Sequence, residues 1–333
     1  MDRSQIRPLT FRESLELAGS AGSERWYEEL REEAPRTLER CPVKLLPLNS
    51  LREAPRDLLP PHIARGAKIA RGMPALAPCE RPRSLYRFNG RRVVPCDANF
   101  TQIFNGENRM VFSDASYPWS CIGRISLPNG KWGSGALVGR STVLTASHVL
   151  AGLWQPGGPL AAGVTFTPAQ FNGNSLLGTG WSTNIINVAA WETTNECEGY
   201  DMAVCQLDRP IGARLGTFGI CQYDDDWEDM HVWLHIGYPY DLGTNSLKPC
   251  FESGIAVFDD DSDSYDTLEI ETKADIASGQ SGGPLFARFT DGKFYVIGTL
   301  SGREDNFGEE KNSLFAGGAG LIELVRWARQ NFD

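Results

Sequence analysis

Residues 121–148 read CIGRISLPNGKWGSGALVGRSTVLTASH, and this stretch indicates the fold class. Three short runs of β-prone residues are separated by turn residues, and Asn129-Gly130 between the first two is a strong hairpin signal. The stretch therefore predicts consecutive short β-strands, the third of which ends just before His148.

Similar runs continue to residue 300, with no long helical pattern among them. The further candidate strands are GVTFTPA (163–169), NIINVAAW (184–191), MAVCQL (202–207), MHVWLHIG (230–237), TLEIETK (267–273), PLFARF (284–289) and FYVIGTL (294–300). After them, GLIELVRWARQNF (320–332) places Leu321, Leu324, Val325 and Ala328 on one helical face. The sequence predicts an all-β barrel or sandwich that is closed by one amphipathic C-terminal helix.

Residues 1–100 differ in composition, because they hold 11 of the 20 prolines. Proline removes backbone donors, so most of this region cannot sustain regular hydrogen-bond ladders. Residues 23–34 predict a short helix, with Ser23 as its cap and Trp26 and Leu30 at helical spacing. We expect a partly helical, Pro-rich N-terminal extension over residues 1–100 and a folded domain over residues 101–333.

Charge is distributed unevenly over the chain, whose net charge is −10. Residues 1–100 carry +5, and residues 101–333 carry −15. An acidic main domain repels phosphate backbones, which argues against nucleic acid as a partner and favours an intramolecular contact with the basic N-terminal arm. No window approaches the roughly 20 consecutive apolar residues of a membrane-spanning helix, so no membrane partner is predicted.

Neither the cysteines nor the acidic residues predict a metal site or a cofactor. The eight cysteines contain no CxxC pair, which argues against zinc, and their redox state stays open. The acidic run at 258–266 alternates possible calcium ligands, but Ser264 and Ile270 occupy the positions where a calcium loop needs glycine and glutamate. We interpret that run as a solvated turn.

Three segments carry the residue types that serine-based hydrolysis needs: a base, a carboxylate that orients it, and a nucleophile beside oxyanion donors. His148 follows a strand in Thr145-Ala146-Ser147-His148, and Asp201 directly precedes the β-prone run 202–207. The third segment is SGQSGGPL (278–285), in which Gly279 allows a turn that aims its own N–H and that of Ser281 at one point.

These segments, TASH (145–148), DMAV (201–204) and GQSGGPLF (279–286), resemble trypsin-like serine proteases in their order and in their spacings of 53 and 80 residues. Smaller matches at 117–118, 127–130, 133–135, 208–212 and 237–239 are most similar to the glutamyl-endopeptidase-like branch. The resemblance covers residues 101–333. It implies a chymotrypsin-like double β-barrel, polypeptide substrates, a catalytic triad of His148, Asp201 and Ser281, and an oxyanion hole formed by the amides of Gly279 and Ser281.

The resemblance also implies substrate-binding positions. Asp275 lies where relatives that cut after Arg or Lys carry an Asp, and Leu300 replaces the His that relatives specific for acidic residues require. Ser301 matches a serine that supports the buried Asp and lies beside substrate. Arg303 matches a glycine at the pocket rim, and its guanidinium would either pair with Asp275 and close the pocket or bind an acidic side chain itself. From these positions we predict a modest preference for Arg or Lys and loss of strict cleavage after Glu.

Several features bear on processing and location. Many relatives have a Cys after the catalytic His, whereas this chain has Val149, so a bridge from that position to Cys121 cannot form. Charges interrupt every apolar stretch of the first 30 residues, so no secretory signal is predicted. The location stays open: the sequence as written favours the cytoplasm, although relatives are often secreted. We expect residues 1–100 to act as a prosegment or inhibitory arm, cut after Arg92 or nearer Ile103.

Two other functions compete with a peptidase. A catalytically silent protease fold that serves as a binding or signalling module is expected to have lost part of the catalytic unit, whereas all its members are present here. An esterase with the same residue types places them in the order Ser, Asp, His with a helix after the serine, and this chain has neither feature.

Overall fold

The computed structural model describes residues 7–8, 44–46, 58–70, 100–104, 106–154, 158–191, 198–242, 247–263, 266–303 and 312–333. The helix predicted at 23–34, the proposed cut after Arg92, and Cys41, Cys79, Cys96 and Cys197 lie outside these residues.

The described residues form many short strands and two helices. The strands in the first half are β1 (Lys44–Leu46), β2 (Leu58–Leu59), β3 (Thr101–Gln102), β4 (Met110–Val111), β5 (Ile122–Ser126), β6 (Trp132–Leu137), β7 (Thr142–Thr145), β8 (Thr165–Pro168), β9 (Gln170–Phe171), β10 (Asn174–Ser175), β11 (Thr183–Trp191) and β12 (Ala203–Leu207). Then come α1 (Gly212–Leu215), β13 (Gly219–Cys221), β14 (Trp233–Gly237), β15 (Cys250–Ile255), β16 (Val257–Asp263), β17 (Thr267–Thr272), β18 (Ile276–Ala277), β19 (Pro284–Arg288), β20 (Phe294–Arg303), β21 (Ser313–Gly318) and α2 (Ala319–Asn331).

The first half of the domain is a closed six-stranded barrel. Its strands run in the order β11-β12-β7-β6-β5-β8, and β8 pairs with β11 to close the ring. Apolar side chains fill its interior because β-branched and aromatic residues pack well on a pleated surface. Wholly buried examples are Ile125, Val143, Phe166 and Val204.

The second half is a curved sheet that forms a half-barrel. Its strands run in the order β16-β17-β21-β20-β19-β14-β15-β4. Trp233, Phe289 and Phe315 are wholly buried in its core, and Trp233 meets Phe289 edge to face at 6.3 Å between ring centroids. The predicted all-β, chymotrypsin-like architecture is confirmed.

The predicted C-terminal helix is also confirmed, and the whole of its predicted apolar face is buried. Beyond its end, Asp333 accepts hydrogen bonds from the backbone amides of Arg140 at 2.7 Å and Ser141 at 2.8 Å. Arg329 donates to the carbonyls of Val138 and Phe218. These contacts hold the helix against the first barrel and the connection between the two halves. No described helix combines the length and apolar character that crossing a membrane would require.

The acidic run at 258–266 was predicted to be a turn, and over residues 258–263 this prediction is wrong. Residues 257–263 form strand β16, which pairs with β17 at the edge of the second sheet. Asp259 and Asp261 are exposed along it. Charged side chains on an edge strand discourage pairing with another chain, so the acidic composition that argued against a strand suits its position at an edge.

Residues 58–70 lie against the main domain. Strand β2 pairs antiparallel with β13, which pairs parallel with β20 of the second sheet. The amide of Thr217 donates to the carbonyl of His62 at 2.7 Å, and the amides of Tyr117 and Ala70 bond to the carbonyls of Lys68 and Tyr117 respectively. This part of the N-terminal region is therefore integrated into the fold through backbone hydrogen bonds.

Candidate active site

His148 lies where the first barrel opens into a loop. Strand β7 is buried along its whole length, Ala146 continues it in an extended conformation, and a short 3-10 helix over Ser147–Leu150 then turns the chain. This turn brings the His148 side chain out of the barrel, where 36% of it is exposed. The imidazole is thus held on a rigid strand end and still reaches solvent.

Asp201 is brought beside His148 by strand pairing. Ala203 at the start of β12 is directly opposite Thr145 at the end of β7, so the residues flanking those strands meet. Asp201 Oδ2 lies 2.5 Å from His148 Nδ1, and Oδ1 accepts the backbone amide of His148 at 2.9 Å. The side chain of Asp201 is only 13% exposed.

Two hydroxyls complete the surroundings of this carboxylate. Ser147 donates to Oδ1 and Ser301 donates to Oδ2, each at 2.7 Å. Burial raises the pKa of Asp201, but the charge of His148 and the hydrogen bonds from His148, Ser147 and Ser301 outweigh it and hold the pKa well below its usual range. Asp201 is therefore a carboxylate that fixes His148 with Nδ1 toward it.

The Ser281 loop packs directly on the end of strand β7. Gly282 has φ +81, and a side chain there would collide with Thr145 Oγ1 and the carbonyl of Ser134. The carbonyl of Ser281 accepts the amide of Ser134 at 2.8 Å. Because Gly282 touches the residues that precede His148, the fold brings Ser281 of the second half next to the His148 turn of the first.

The conformation before Ser281 requires glycine as well. Gly279 has φ +93, and a Cβ atom there would lie 2.2 Å from Trp132 Nε1 and 2.5 Å from the carbonyl of Tyr238. Trp132 Nε1 donates to that carbonyl at 2.9 Å, while the hydroxyl of Ser134 bonds to the carbonyl of Gly279 at 2.8 Å. The indole and the hydroxyl therefore set the path of the loop.

Some backbone amides of this loop donate hydrogen bonds within the protein and others do not. Gln280, Gly282 and Gly283 donate their N–H groups to the carbonyls of Ala277, Leu300 and Gln280 respectively. Within the part of the chain that the structure describes, no hydrogen bond uses the N–H groups of Gly279 and Ser281. Two unused donors that flank one residue are available to an oxygen atom of a ligand.

The residues predicted to bind substrate differ in their surroundings. Asp275 is wholly buried, and its two oxygens accept the backbone amides of Phe104 at 2.7 Å and Asn108 at 2.6 Å. Each oxygen therefore accepts one backbone amide, and these two bonds fix the orientation of the carboxylate. The role predicted for Asp275 stays a prediction, and its oxygens already have partners.

The other positions differ from one another. Leu300 is buried in the core of the second half, and its backbone bonds to Gly282 and Gly283. Arg303 lies with its guanidinium carbon 5.1 Å from the centroid of the Phe100 ring. Ser301 contacts Asp201 as described above. These contacts place Leu300 and Ser301 behind the Ser281 loop and Arg303 against the segment that precedes the first barrel.

The described cysteines are free thiols, namely Cys121, Cys205, Cys221 and Cys250, and all are buried. Cys121 lies in a 3-10 turn just before β5, and its Sγ is 3.2 Å from the carbonyl of Gly216. Burial raises the pKa of each thiol, to about 12 for Cys221. Thiols held protonated in this way are poor nucleophiles and contribute to packing.

Sequence reasoning missed Ser147, Trp132 and Arg109. Ser147 directly precedes His148, so its adjacency was a usable signal for a second support of Asp201. Trp132 and Arg109 reach the Ser281 loop only through the three-dimensional fold, and nothing in their local sequence indicates it.

The fold and these contacts define a chymotrypsin-like protein in which a His-Asp pair on one barrel faces a glycine-bounded serine loop on the other half. The trypsin family model matches residues 111–318, and the chain belongs to this family of serine endopeptidases.

Two solved structures are similar to this chain, and the first of them supports the fold. A structure titled as a Glu endopeptidase in complex with MPD is similar with a TM-score of 0.56 and 20% identity, covering 69% of this chain and all of that one (100%). Protease Anisep from Arthrobacter nicotinovorans matches with a TM-score of 0.49 and 22% identity, covering 67% of this chain and 100% of that one.

Proposed function

We propose that the protein cleaves polypeptides through a triad of Ser281, His148 and Asp201. Ser281 Oγ attacks the scissile carbonyl while His148 Nε2 takes its proton, and the proton later passes to the leaving amine. Asp201 keeps the Nδ1 proton of His148 on its own side and stabilises the imidazolium that forms. The N–H groups of Gly279 and Ser281 stabilise the oxyanion.

One observation carries this proposal: the Asp201 carboxylate, 2.5 Å from His148 Nδ1, is otherwise occupied by a backbone amide and two hydroxyls. When the Nδ1 proton points to Asp201, the lone pair of the neutral imidazole lies on Nε2, which is the nitrogen that acts as a base. The unused amides on either side of Gln280 supply the second requirement of acyl transfer.

Ser281→Ala and His148→Ala test the proposal. Each variant should lose on the order of 10⁶ in turnover on the parent's best library peptide, because members of a triad act as a unit. Each should unfold at a temperature close to that of the parent, since neither side chain is buried in a core. Activity within tenfold of the parent in either variant would contradict the triad assignment.

For specificity, we propose weak selectivity for Arg or Lys and none for Glu. Leu300 offers no cation to a glutamate carboxylate, and a buried carboxylate without a donor is costly. The two backbone amides that bond to the Asp275 oxygens partly offset its negative charge, so we expect its attraction for a basic substrate to be weak. A peptide-library profile with cleavage only after Glu or Asp would contradict this proposal.

For the N-terminal region, we propose that residues 58–70 are an intramolecular strap on the protease domain. Their support is the pairing of β2 with β13 and the bond of His62 with Thr217. An inhibitory function of the rest of residues 1–100 remains a separate prediction. It is tested by whether the intact chain is less active than a form cut after Arg92.

A further inference from the structure

Arg109 is wholly buried, and each of its five N–H donors has an acceptor. Nε donates to Glu107 Oε1 and Nη2 donates to Glu107 Oε2, each at 2.8 Å. Nη2 also donates to Asp241 Oδ2 at 2.8 Å, and Nη1 donates to Asp241 Oδ1 at 3.2 Å. The fifth bond runs from Nη1 to Gln280 Oε1 at 2.8 Å. A guanidinium has five such donors in a rigid fork, so none remains for another group.

The two carboxylates hold this cation in place. Burial lowers the pKa of Arg109, but the hydrogen bonds and charges of Glu107 and Asp241 outweigh it, so the guanidinium stays charged. Asp241 also accepts the hydroxyl of Thr101 at 2.9 Å. The Arg109 guanidinium is therefore fixed by two carboxylates, and it also bonds to Gln280 in the loop that contains Ser281.

Gln280 is the residue between the two unused amides. Its side chain is buried, and its Oε1 accepts the amide of Ala277 at 2.9 Å as well as Arg109. Gly237 of β14 packs against Gln280 so closely that a Cβ atom on Gly237 would lie 2.8 Å from Gln280 Cα. The loop therefore cannot move toward β14. The conformation of Gly279 and Ser281 is thus tied to the position of one carboxamide oxygen.

The chain around Arg109 contacts the other end of the same loop. Strand β3 pairs with β18, and the amides of Phe104 and Asn108 bond to Asp275. Phe100 and Ser278 are joined by two bonds, from Ser278 N to the carbonyl of Phe100 and from Phe100 N to Ser278 Oγ. Residues 100–104, Asn108 and Arg109 therefore contact the 275–280 turn from Asp275 to Gln280.

We propose that Arg109 is a positioning residue for catalysis, which holds Gln280 so that the amides of Gly279 and Ser281 converge on the oxyanion. The proposal rests on the function proposed above and deepens it. It also requires that any active processed form begins before residue 100, since a start at Ile103 would remove β3.

Variants at Gln280 test the contact without leaving Glu107 and Asp241 unpaired. Gln280→Leu removes the acceptor and should lower kcat by about 10²-fold, the loss typical of one oxyanion donor, with KM changed less than about threefold. Gln280→Glu keeps an acceptor oxygen whether or not its carboxyl is protonated, so kcat should stay within roughly tenfold of the parent. Arg109→Lys has only three donors, too few for all its acceptors, and should behave like Gln280→Leu.

Gln170→Leu is the matched control, because Gln170 is also buried and its Nε2 has no partner among the described residues. It should leave kcat unchanged. The readouts are kcat and KM on the parent's best library peptide, the second-order rate of labelling by a fluorophosphonate, and thermal unfolding of each variant.

The outcomes separate this proposal from the proposed function. Parent-like kcat and labelling in folded Gln280→Leu would overturn the role of Arg109 and leave the triad intact. An equal loss in Gln280→Leu and Gln280→Glu would also overturn it, because an acceptor would then not be what matters. A parent protein that hydrolyses no peptide and is not labelled at Ser281 would instead contradict the proposed function itself.

Discussion

Ser301 donates its hydroxyl to Asp201 across the boundary between the two halves of the domain, at 2.7 Å. Asp201 precedes β12 of the first barrel, whereas Ser301 belongs to β20 of the second half. On the opposite oxygen, Ser147 of the first barrel makes the equivalent bond at the same distance. The carboxylate that orients His148 is therefore itself held by one hydroxyl from each half.

Ser301→Ala and Ser147→Ala should each lower kcat/KM by about tenfold, because a hydrogen bond to a charged group is worth roughly 1.5–3 kcal/mol. Steady-state kinetics on one library peptide measures the effect. Ser175→Ala serves as the control, since that hydroxyl bonds to the carbonyl of Pro168. Unchanged kinetics in both site variants would show that the two hydroxyls do not support Asp201 during catalysis.

Asp201→Asn should keep the fold and lower kcat by roughly 10⁴-fold, because an amide no longer holds the required tautomer of His148. Asp208→Asn is a matched change of a buried aspartate, which bonds to Thr183 and to Asn184. It should lower the thermal unfolding temperature with little effect on kcat. If Asp201→Asn and Asp208→Asn reduce kcat alike, Asp201 has no special place in the mechanism.

The buried carboxyl pair Glu252 and Asp275 predicts that stability falls with rising pH. Burial, together with the charge of Asp275, raises the pKa of Glu252 to about 8, and burial raises that of Asp275 to about 6. Between pH 4.5, the ordinary pKa of a glutamate, and pH 8 the folded state thus binds more protons than the unfolded state. The stabilisation is complete below the ordinary pKa values and is lost as pH rises through about 6 to 8.

Glu252→Gln should weaken this dependence, because an amide cannot ionise and its oxygen can still accept the amide of Asp275. The other charged or titratable groups near Glu252 are Glu107, Arg109 and, on the neighbouring strand, His235. The variant keeps all three. At pH 9 the variant should exceed the parent in free energy of unfolding by roughly 1–3 kcal/mol, since a difference of one in pKa corresponds to about 1.4 kcal/mol. Equal slopes of unfolding temperature against pH in the two proteins would contradict the prediction.

Truncation tests the strap formed by residues 58–70. Two forms that both lack β1, the partner of β11, isolate the strap. The form that begins at residue 58 keeps the partner of β13 and the carbonyl of Pro60 that Arg329 contacts, whereas the form that begins at residue 71 loses them. The shorter form should therefore unfold at a temperature several degrees lower, as expected for a loss of about 1 kcal/mol or more. Equal unfolding temperatures of the two forms would contradict a stabilising role of residues 58–70.

Local sequence patterns predicted most of the strands whose apolar residues form the barrel cores, and they predicted α2, but they missed β15 and β21, which carry the buried Phe251 and Phe315. They missed β16, because its stability comes from pairing with β17 and its acidic residues suit an edge. The very short strands β2, β3 and β18 carry no periodicity of their own and exist through tertiary contacts.

Some residues of the candidate site were likewise predictable from local sequence, and others were not. His148, Asp201, Gly279 and Ser281 stand in short segments whose chemistry can be recognised locally. The contact of Arg109 with Gln280 spans 171 residues of sequence, and the engagement of Asp275 by backbone amides depends on a segment with no side-chain signal. Such relationships arise only once the chain has folded.

The most direct test of the central claim is the site of fluorophosphonate labelling in the intact protein. The reagent should form one covalent adduct, which peptide mass spectrometry locates on Ser281, and neither His148→Ala nor Asp201→Asn should be labelled at a rate near that of the parent. Labelling at another residue, or unchanged labelling of Ser281 in His148→Ala, would contradict the account.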